Sequence, residues 1–346
     1  MMPVSGGKRV RSLWLAYRLR WKRRRFLFRI WRKRKQISVK VDRTGGIGKT
    51  AILAFVTVRN EVERLPYFLA HYRKLGVDHF LFVDNGSDDG TAAYLADQPD
   101  VSVWTTAHSY RLARFGMDWL GWLLWRYGSG HWCLTVDADE LLVYPECETR
   151  DLKVLTTWLD EQGCPSFGAI MLDLYPKGAL EDVKYEPGDD PRDVLAWFDA
   201  DNYRHRWHHY YGNLWIQGGV RERVFFAQDP GRAPTLNKTP LVKWHWRYAY
   251  VSSTHQALPT RLHDVFDLEA GTKASGVLLH TKFLPMIGSK TKEEMVRRQH
   301  FENSSLYTAY HQKLSQNPVL WHQGSCRYQS TEQLVKLGLM SKGGWV

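Results

Sequence analysis

Three carboxylates stand within four positions in the stretch Thr135-Val136-Asp137-Ala138-Asp139-Glu140-Leu141-Leu142-Val143, between two apolar runs. That pattern puts acids where a buried strand meets a loop. In an extended strand end, side-chain direction repeats every two residues, so Asp137 and Asp139 point to one side and Glu140 to the other. Two carboxylates facing one ligand suit a hard divalent cation, Mg²⁺ or Mn²⁺, held together with phosphate oxygens of a substrate. A bare D-x-D is more often a solvated turn; apolar flanks on both sides favour the metal reading here, and Glu140 is assigned a structural part.

The elements that must position these acids alternate in type. Ala51 to Val58 reads as a buried strand, followed by Arg59-Asn60-Glu61 and a helix from Val62 to Leu75 whose inner face is Leu65, Phe68, Leu69, Tyr72 and Leu75. Phe80 to Val83 is the next strand and ends in Asp84-Asn85-Gly86-Ser87-Asp88-Asp89-Gly90-Thr91. A short helix, a strand at Val101 to Trp104 and a helix from about Leu112 to Tyr127 lead to the acidic cluster. Such βαβ alternation predicts a mixed α/β sheet of Rossmann type with helices on both faces, and ligands in such sheets bind beyond the carboxyl ends of the strands. Glu61, Asp84 and Asp137 all fall at such ends, so three acidic loops are expected to line one crevice.

The order V-R-N-E, V-D-N-G-S-D-D-G-T and V-D-A-D-E resembles the glycosyltransferase family 2 type of GT-A enzyme. The D-x-D-E followed by apolar residues is similar to the branch shared with family 92. The similarity covers residues 51 to 145 well and the rest loosely; Asn85 departs from it, standing where many relatives carry a second acid. The resemblance implies a GT-A-like fold and a hexosyltransferase-like activity on a nucleotide-diphosphate-sugar donor. Arg59, Asn60, Glu61 and Asp84 would lie near base and ribose, and Asp137 and Asp139 would reach ribose and a metal bridging the diphosphate. It also implies a late histidine as a further metal ligand, for which His280, ending the apolar run Gly276 to Leu279, is the match and His255 the second choice. Inversion is favoured by the same analogy.

Gly218-Gly219-Val220-Arg221-Glu222-Arg223 sets a glycine pair beside a carboxylate between two arginines. The resemblance makes this the acceptor-side loop and Glu222 the catalytic base, although two arginine neighbours would lower its pKa. A structural ion-pair role for Glu222 is an equal alternative, and Asp173, Asp199, Asp201 and Asp264 are rivals. Lys238 or Lys282 would meet the diphosphate. His205 and His209 have metal-like spacing if helical, without a second ligand pair to support zinc. Gly45-Gly46-Ile47-Gly48-Lys49-Thr50 lacks the first glycine of a phosphate loop, Arg43 standing there, and precedes a strand, so it reads as a linker.

The formal charge of +12 belongs to one end: residues 1 to 41 carry 15 Lys and Arg and no acid, leaving 12 − 15 = −3 for the rest. Val10, Leu13, Trp14, Tyr17, Trp21, Phe28 and Trp31 recur at helical spacing among those bases. Residues 8–35 therefore read as a basic amphipathic helix for an anionic membrane surface, with no run long enough to span a bilayer or to form a signal-peptide core. Nucleic acid is not expected, since the body is near neutral. Four cysteines without paired spacing suit reduced thiols and a cytoplasmic, peripheral location at the inner membrane face. The expected organisation is a tail at 1–41, a linker at 42–50, a GT-A-like domain at 51–300 and a C-terminal extension at 301–346. The expected activity is metal-dependent transfer of a sugar to a glycan or glycolipid. Two other classes fit the same residues: a non-catalytic membrane- or RNA-binding module on a degenerate transferase scaffold, and a metal-dependent phosphoryl transferase.

Overall fold

Basic and aromatic residues alternate through Leu13–Lys33 and form one helix, α1, which leads to strand β1 (Ser38–Val41). The computed structural model describes residues 13–267, 271–288, 310 and 312–346. Next come β2 (Leu53–Val58), α2 (Leu65–Lys74), β3 (His79–Asp84), α3 (Thr91–Ala96), β4 (Val101–Thr105), α4 (Met117–Leu123) and β5 (Trp132–Thr135). Then follow β6 (Glu140–Val143), α5 (Leu152–Glu161), β7 (Ser166–Asp173), α6 (Pro191–Val194), β8 (Trp197–Phe198), β9 (Arg204–His208), β10 (Asn213–Gln217) and α7 (Gly219–Phe225). Strands β11 (Asn237–Lys243), β12 (Ala249–Ser252), β13 (Gln256–Leu258) and β14 (Ser275–His280) complete the described core. The sequence also has a helical pattern from Lys290 to about Phe301, which lies outside the described residues.

One nine-stranded sheet runs β1-β4-β3-β2-β5-β11-β7-β14-β6. Strands β2 to β5, β7 and β14 point one way, while β1, β6 and β11 run against them. The fold is thus a mixed, mainly parallel α/β sheet with helices on both faces. Period-two alternation assigns the faces: Ala54, Val56, Phe80 and Phe82 pack under α2 and α5, and Leu53, Phe55, Leu81 and Val83 pack under α4.

Parts that the sequence assigned to the flanks join the body. Residues 38–41 pair with β4 at the sheet edge, and Cys326–Arg327 pairs with β8. Trp345 is buried in the α5-side core. Helix α1 packs on α4 through buried Ile30, while buried Leu19 packs with Tyr211 and Leu258. Ile30 rests on Gly121, where an added Cβ would stand 2.7 Å from Ile30 Cδ1. Buried Asp118 of α4 takes hydrogen bonds from Arg29 Nε and Arg114 Nε, each at 2.7 Å.

Candidate functional site

Strand direction gathers the polar residues. At one edge of the sheet β2, β3, β5, β7 and β14 end, with Arg59 following β2 and with Asp84, Asp173 and His280 as last residues of their strands. Strands β6 and β11, running the other way, begin at that edge with Glu140 and with Asn237-Lys238. Because β11, β7 and β14 lie between β5 and β6 in the sheet, the turn joining β5 to β6 runs across their ends. Register sets His280 abreast of Asp173 on one side and Glu140 on the other.

That turn corrects the extended reading of Asp137-Ala138-Asp139. Glu140 N donates to Asp137 O at 3.1 Å and closes a tight turn, so side chains two apart no longer share a side. Asp137 is half exposed and ion-paired with Lys238 at 3.1 Å. Asp139 faces His280, and its carbonyl accepts from Thr281 N at 2.7 Å. Glu140, expected on the opposite side, joins it instead: ligand atoms of Asp139, Glu140 and His280 all lie within 4.8 Å of one another. Asp137 is not among these three.

Each ring nitrogen of His280 meets a carboxylate, Nδ1 reaching Asp173 Oδ1 at 2.5 Å and Nε2 reaching Asp139 Oδ2 at 3.1 Å. Asp173 Oδ2 also accepts from Arg221 Nε at 2.7 Å. Burial works against the imidazolium, yet the Asp139 charge and the two hydrogen bonds outweigh it and raise the His280 pKa. Burial likewise opposes charge on the two acids; His280 with Arg64 and Lys282 holds Asp139 well below the usual range. Arg221 and His280 hold Asp173 at about 2. Lys238 donates to Glu140 as well as to Asp137. Burial pushes Glu140 up to about 7 with Lys238 pulling against it, and the two carboxylates overcome burial to raise Lys238.

The loops after β2 and β3 lie at the same edge and are knitted together. Arg59 Nη1 donates to the carbonyls of Asn85, at 2.7 Å, and Gly86. Asn60, in the left-handed region at φ 52°, accepts from Asp88 N at 3.0 Å. Asp84 takes the amide of Ser87 at 3.2 Å and its hydroxyl. Glu61 is paired at 2.9 Å with Arg64, whose Nη2 also donates to Thr281 O at 3.2 Å. Buried Arg64 escaped sequence reasoning, since its contact with Thr281, 217 residues away, exists only in the fold. Asp173 ends an apolar run as His280 does, so the signal for it was present and was read only as a rival base.

Glu222 departs from expectation in its partners. Consecutive residues on α7 diverge by about 100°, so Arg221 turns to Asp173 and Arg223 binds Asp199 at 2.8 and 2.9 Å. Glu222 is paired instead with Arg204, and its Oε2 is buried with no hydrogen-bond partner among the described residues. Gly218, the residue preceding α7 at φ 140°, must be glycine: an added Cβ would stand 2.2 Å from Asn202 O. The helical spacing supposed for His205 and His209 does not form, since 204–208 is a strand. His255 Nδ1 donates to Asn237 O at 2.7 Å, and burial with nearby Lys238 lowers its pKa to about 3, a neutral packing histidine.

No family model and no curated protein matches the chain. Among solved structures it is similar to a 4-diphosphocytidyl-2C-methyl-D-erythritol synthase, at 16% identity and TM-score 0.24 over 40% of this chain and 66% of that one. It is also similar to the mannosyltransferase PcManGT from Pyrobaculum calidifontis in complex with GDP-Man and Mn²⁺, at 17% identity and TM-score 0.25 over 52% of this chain and 48% of that one. A Bacillus anthracis protein named as a glucose-1-phosphate thymidylyltransferase aligns at 8% identity and TM-score 0.27 over 76% and 83%. The chain thus spans less than two thirds of the first two, and at these TM-scores the similarities carry no functional argument.

Proposed function

We propose that this chain is a metal-dependent glycosyltransferase acting on a nucleotide-diphosphate sugar, with a glycan or glycolipid acceptor at a membrane surface. The observation that carries the reading is the convergence of Asp139, Glu140 and His280 at the strand-end edge that also holds the loops of Arg59, Asn60, Glu61 and Asp84. Two carboxylates and an imidazole fit Mn²⁺ better than Mg²⁺, which prefers oxygen alone. His280 is built for the purpose: with its Nδ1 proton held by Asp173, Nε2 is the nitrogen turned to the metal position beside Asp139. When bound, the cation supplies Lewis-acid stabilisation of the departing diphosphate.

The chain's own residues do the rest. Arg64 and Lys238, both buried cations bordering the cluster, offset negative charge gathering on the leaving group. Asp137, half exposed on the tight turn, is free to exchange Lys238 for a donor hydroxyl. Glu222 serves as the base that takes the acceptor hydroxyl proton in an inverting displacement. Its rivals are less suited: both oxygens of Asp173 and of Asp199 are engaged. Asp264 is ion-paired at the surface with Lys273, and Asp201 is exposed.

Membrane contact falls to α1. At about 100° per residue, Trp14, Tyr17, Trp21 and Phe28 share an arc of roughly 60°, about 180° from Leu19 and Ile30. All four are exposed while Leu19 and Ile30 are buried. Aromatic side chains on a basic helix, turned away from their own domain, suit the headgroup boundary. Among the described residues no helix is long and apolar enough to cross a membrane.

Isothermal titration with UDP-, GDP- and TDP-sugars in the presence of Mn²⁺ tests the proposal. Heat is expected with one of them and is lost in Asp139→Ala. Silence with all three, or unchanged binding in Asp139→Ala, refutes it; a phosphorylated acceptor in place of a released nucleoside diphosphate would make the chain a phosphoryl transferase.

A further inference from the structure

A second polar cluster lies away from the sheet edge, beside α1. Arg23 of α1, His245 and Arg247 from the turn between β11 and β12, and Arg261 from the turn after β13 line a cavity of about 370 Å³ with Tyr248 and Pro259. Arg23 and Arg247 also line an adjoining recess of about 480 Å³, shared with Arg20, Arg24, Leu27 and Trp246. Cations crowd here without acids. Among the described residues, no carboxylate is ion-paired with Arg20, Arg23, Arg24, Arg247 or Arg261, whereas Arg29 and Arg114 share Asp118. Arg261 Nη2 donates to the Tyr248 hydroxyl at 2.6 Å, and Arg23 Nε is buried with no hydrogen-bond partner among the described residues.

Burial and then the charges of Arg20, Arg247, Arg24 and Arg261 depress the Arg23 pKa, so the cluster repels itself until an anion enters. Guanidinium forks match phosphate oxygens in pairs, and such charge-assisted bonds are about twice as strong as neutral ones. Phosphate chemistry therefore fits. The surroundings choose its source. Arg24 stacks on Trp21 at 5.2 Å and Arg247 on Trp246 at 4.6 Å, so arginines of the recess reach two exposed tryptophans, one of them on the aromatic face of α1. A phosphate held at that depth beside surface tryptophans suits a headgroup whose acyl chains lie in a bilayer.

We propose that Arg23, His245, Arg247 and Arg261 form a binding pocket for the phosphate headgroup of an anionic lipid, beside the aromatic face of α1. This rests on the membrane reading of α1 and assigns it a specific headgroup site. The test is co-sedimentation of the full chain with phosphatidylcholine vesicles, with and without phosphatidylglycerol. Arg247→Gln/Arg261→Gln alters the pocket at two exposed side chains, and Arg18→Gln/Arg32→Gln removes the same charge from the outer face of α1. The pocket pair is expected to lose about tenfold more of the phosphatidylglycerol-dependent binding than the outer pair. Binding of the Mn²⁺-sugar-nucleotide complex stays intact in both as a check on folding. Equal losses in the two pairs would leave the membrane reading standing and overturn the pocket. No vesicle binding by the unaltered chain would overturn both. Inorganic phosphate or single-stranded RNA protecting the pocket from vesicles at low micromolar concentration, with RNA bound more tightly than vesicles, would reassign it to a soluble ligand and overturn the lipid.

Discussion

Replacing Asp118 by asparagine should release α1 from the body. The Asp118 side chain is 0% exposed, and each oxygen accepts one guanidinium Nε–H at 2.7 Å. An amide keeps one acceptor and turns its NH₂ toward the other guanidinium, a donor facing a donor. A charge-assisted hydrogen bond contributes about 1.5–3 kcal/mol, and removing one partner of a buried ion pair costs about 3–5 kcal/mol. Arg29, at 41% exposure, can rehydrate, whereas Arg114, at 17%, can do so only in part. The loss should therefore sit at the low end, about 3 kcal/mol, which at a slope of about 3 kcal/mol per molar lowers the urea midpoint by about 1 M. Trypsin should cut the arginine-rich α1 faster in the variant, and Arg29→Gln, touching only the exposed partner, should cost about 1 kcal/mol. A midpoint within about 0.3 M of the parent, with α1 still protected, would show that Asp118 does not anchor the helix.

Asp173→Asn removes the carboxylate that holds His280 Nδ1 and should weaken Mn²⁺ binding about 10- to 100-fold, read by the paramagnetic signal of free Mn²⁺; an unchanged affinity would detach His280 from the metal position. His71 is half-buried, its Nε2 donating to Leu142 O at 2.9 Å, and desolvation lowers its pKa from 6.5 to about 4. Its folded pKa is depressed, so the neutral form stabilises the fold above pH 6.5 and that stability drains away as pH falls to about 4, by about 3 kcal/mol in all. The difference in urea stability between the parent and His71→Gln, followed from neutral to about pH 4, should shrink by that amount; a difference constant with pH would refute it.

Much of the arrangement was legible in the chain. Period-two apolar runs and intervening helical patterns fixed a βαβ order, and that order puts Glu61, Asp84 and the acidic cluster at strand carboxyl ends because parallel strands share a direction. His280 and Asp173 were marked by the same rule, each ending an apolar run. The side on which each acid points was not legible. A hydrogen bond from Glu140 to Asp137 turns the D-x-D out of extended geometry, which separates Asp137 from Asp139 and brings Glu140 to His280. Partner choice also waited on the fold. Insertion of antiparallel β11 between β5 and β7 delivers Lys238 to the two acids, from 101 and 98 residues away in sequence. Rotation along α7 sends Arg221 and Arg223 to separate aspartates and leaves Glu222 to Arg204. The amino-acid order of α1 defined a basic and aromatic helix; only the tertiary contacts with Asp118 and Gly121 decided which face stays outside. Local periodicity is written in neighbouring residues, whereas ion-pair partners are set by strand order and register, which depend on the whole core packing at once.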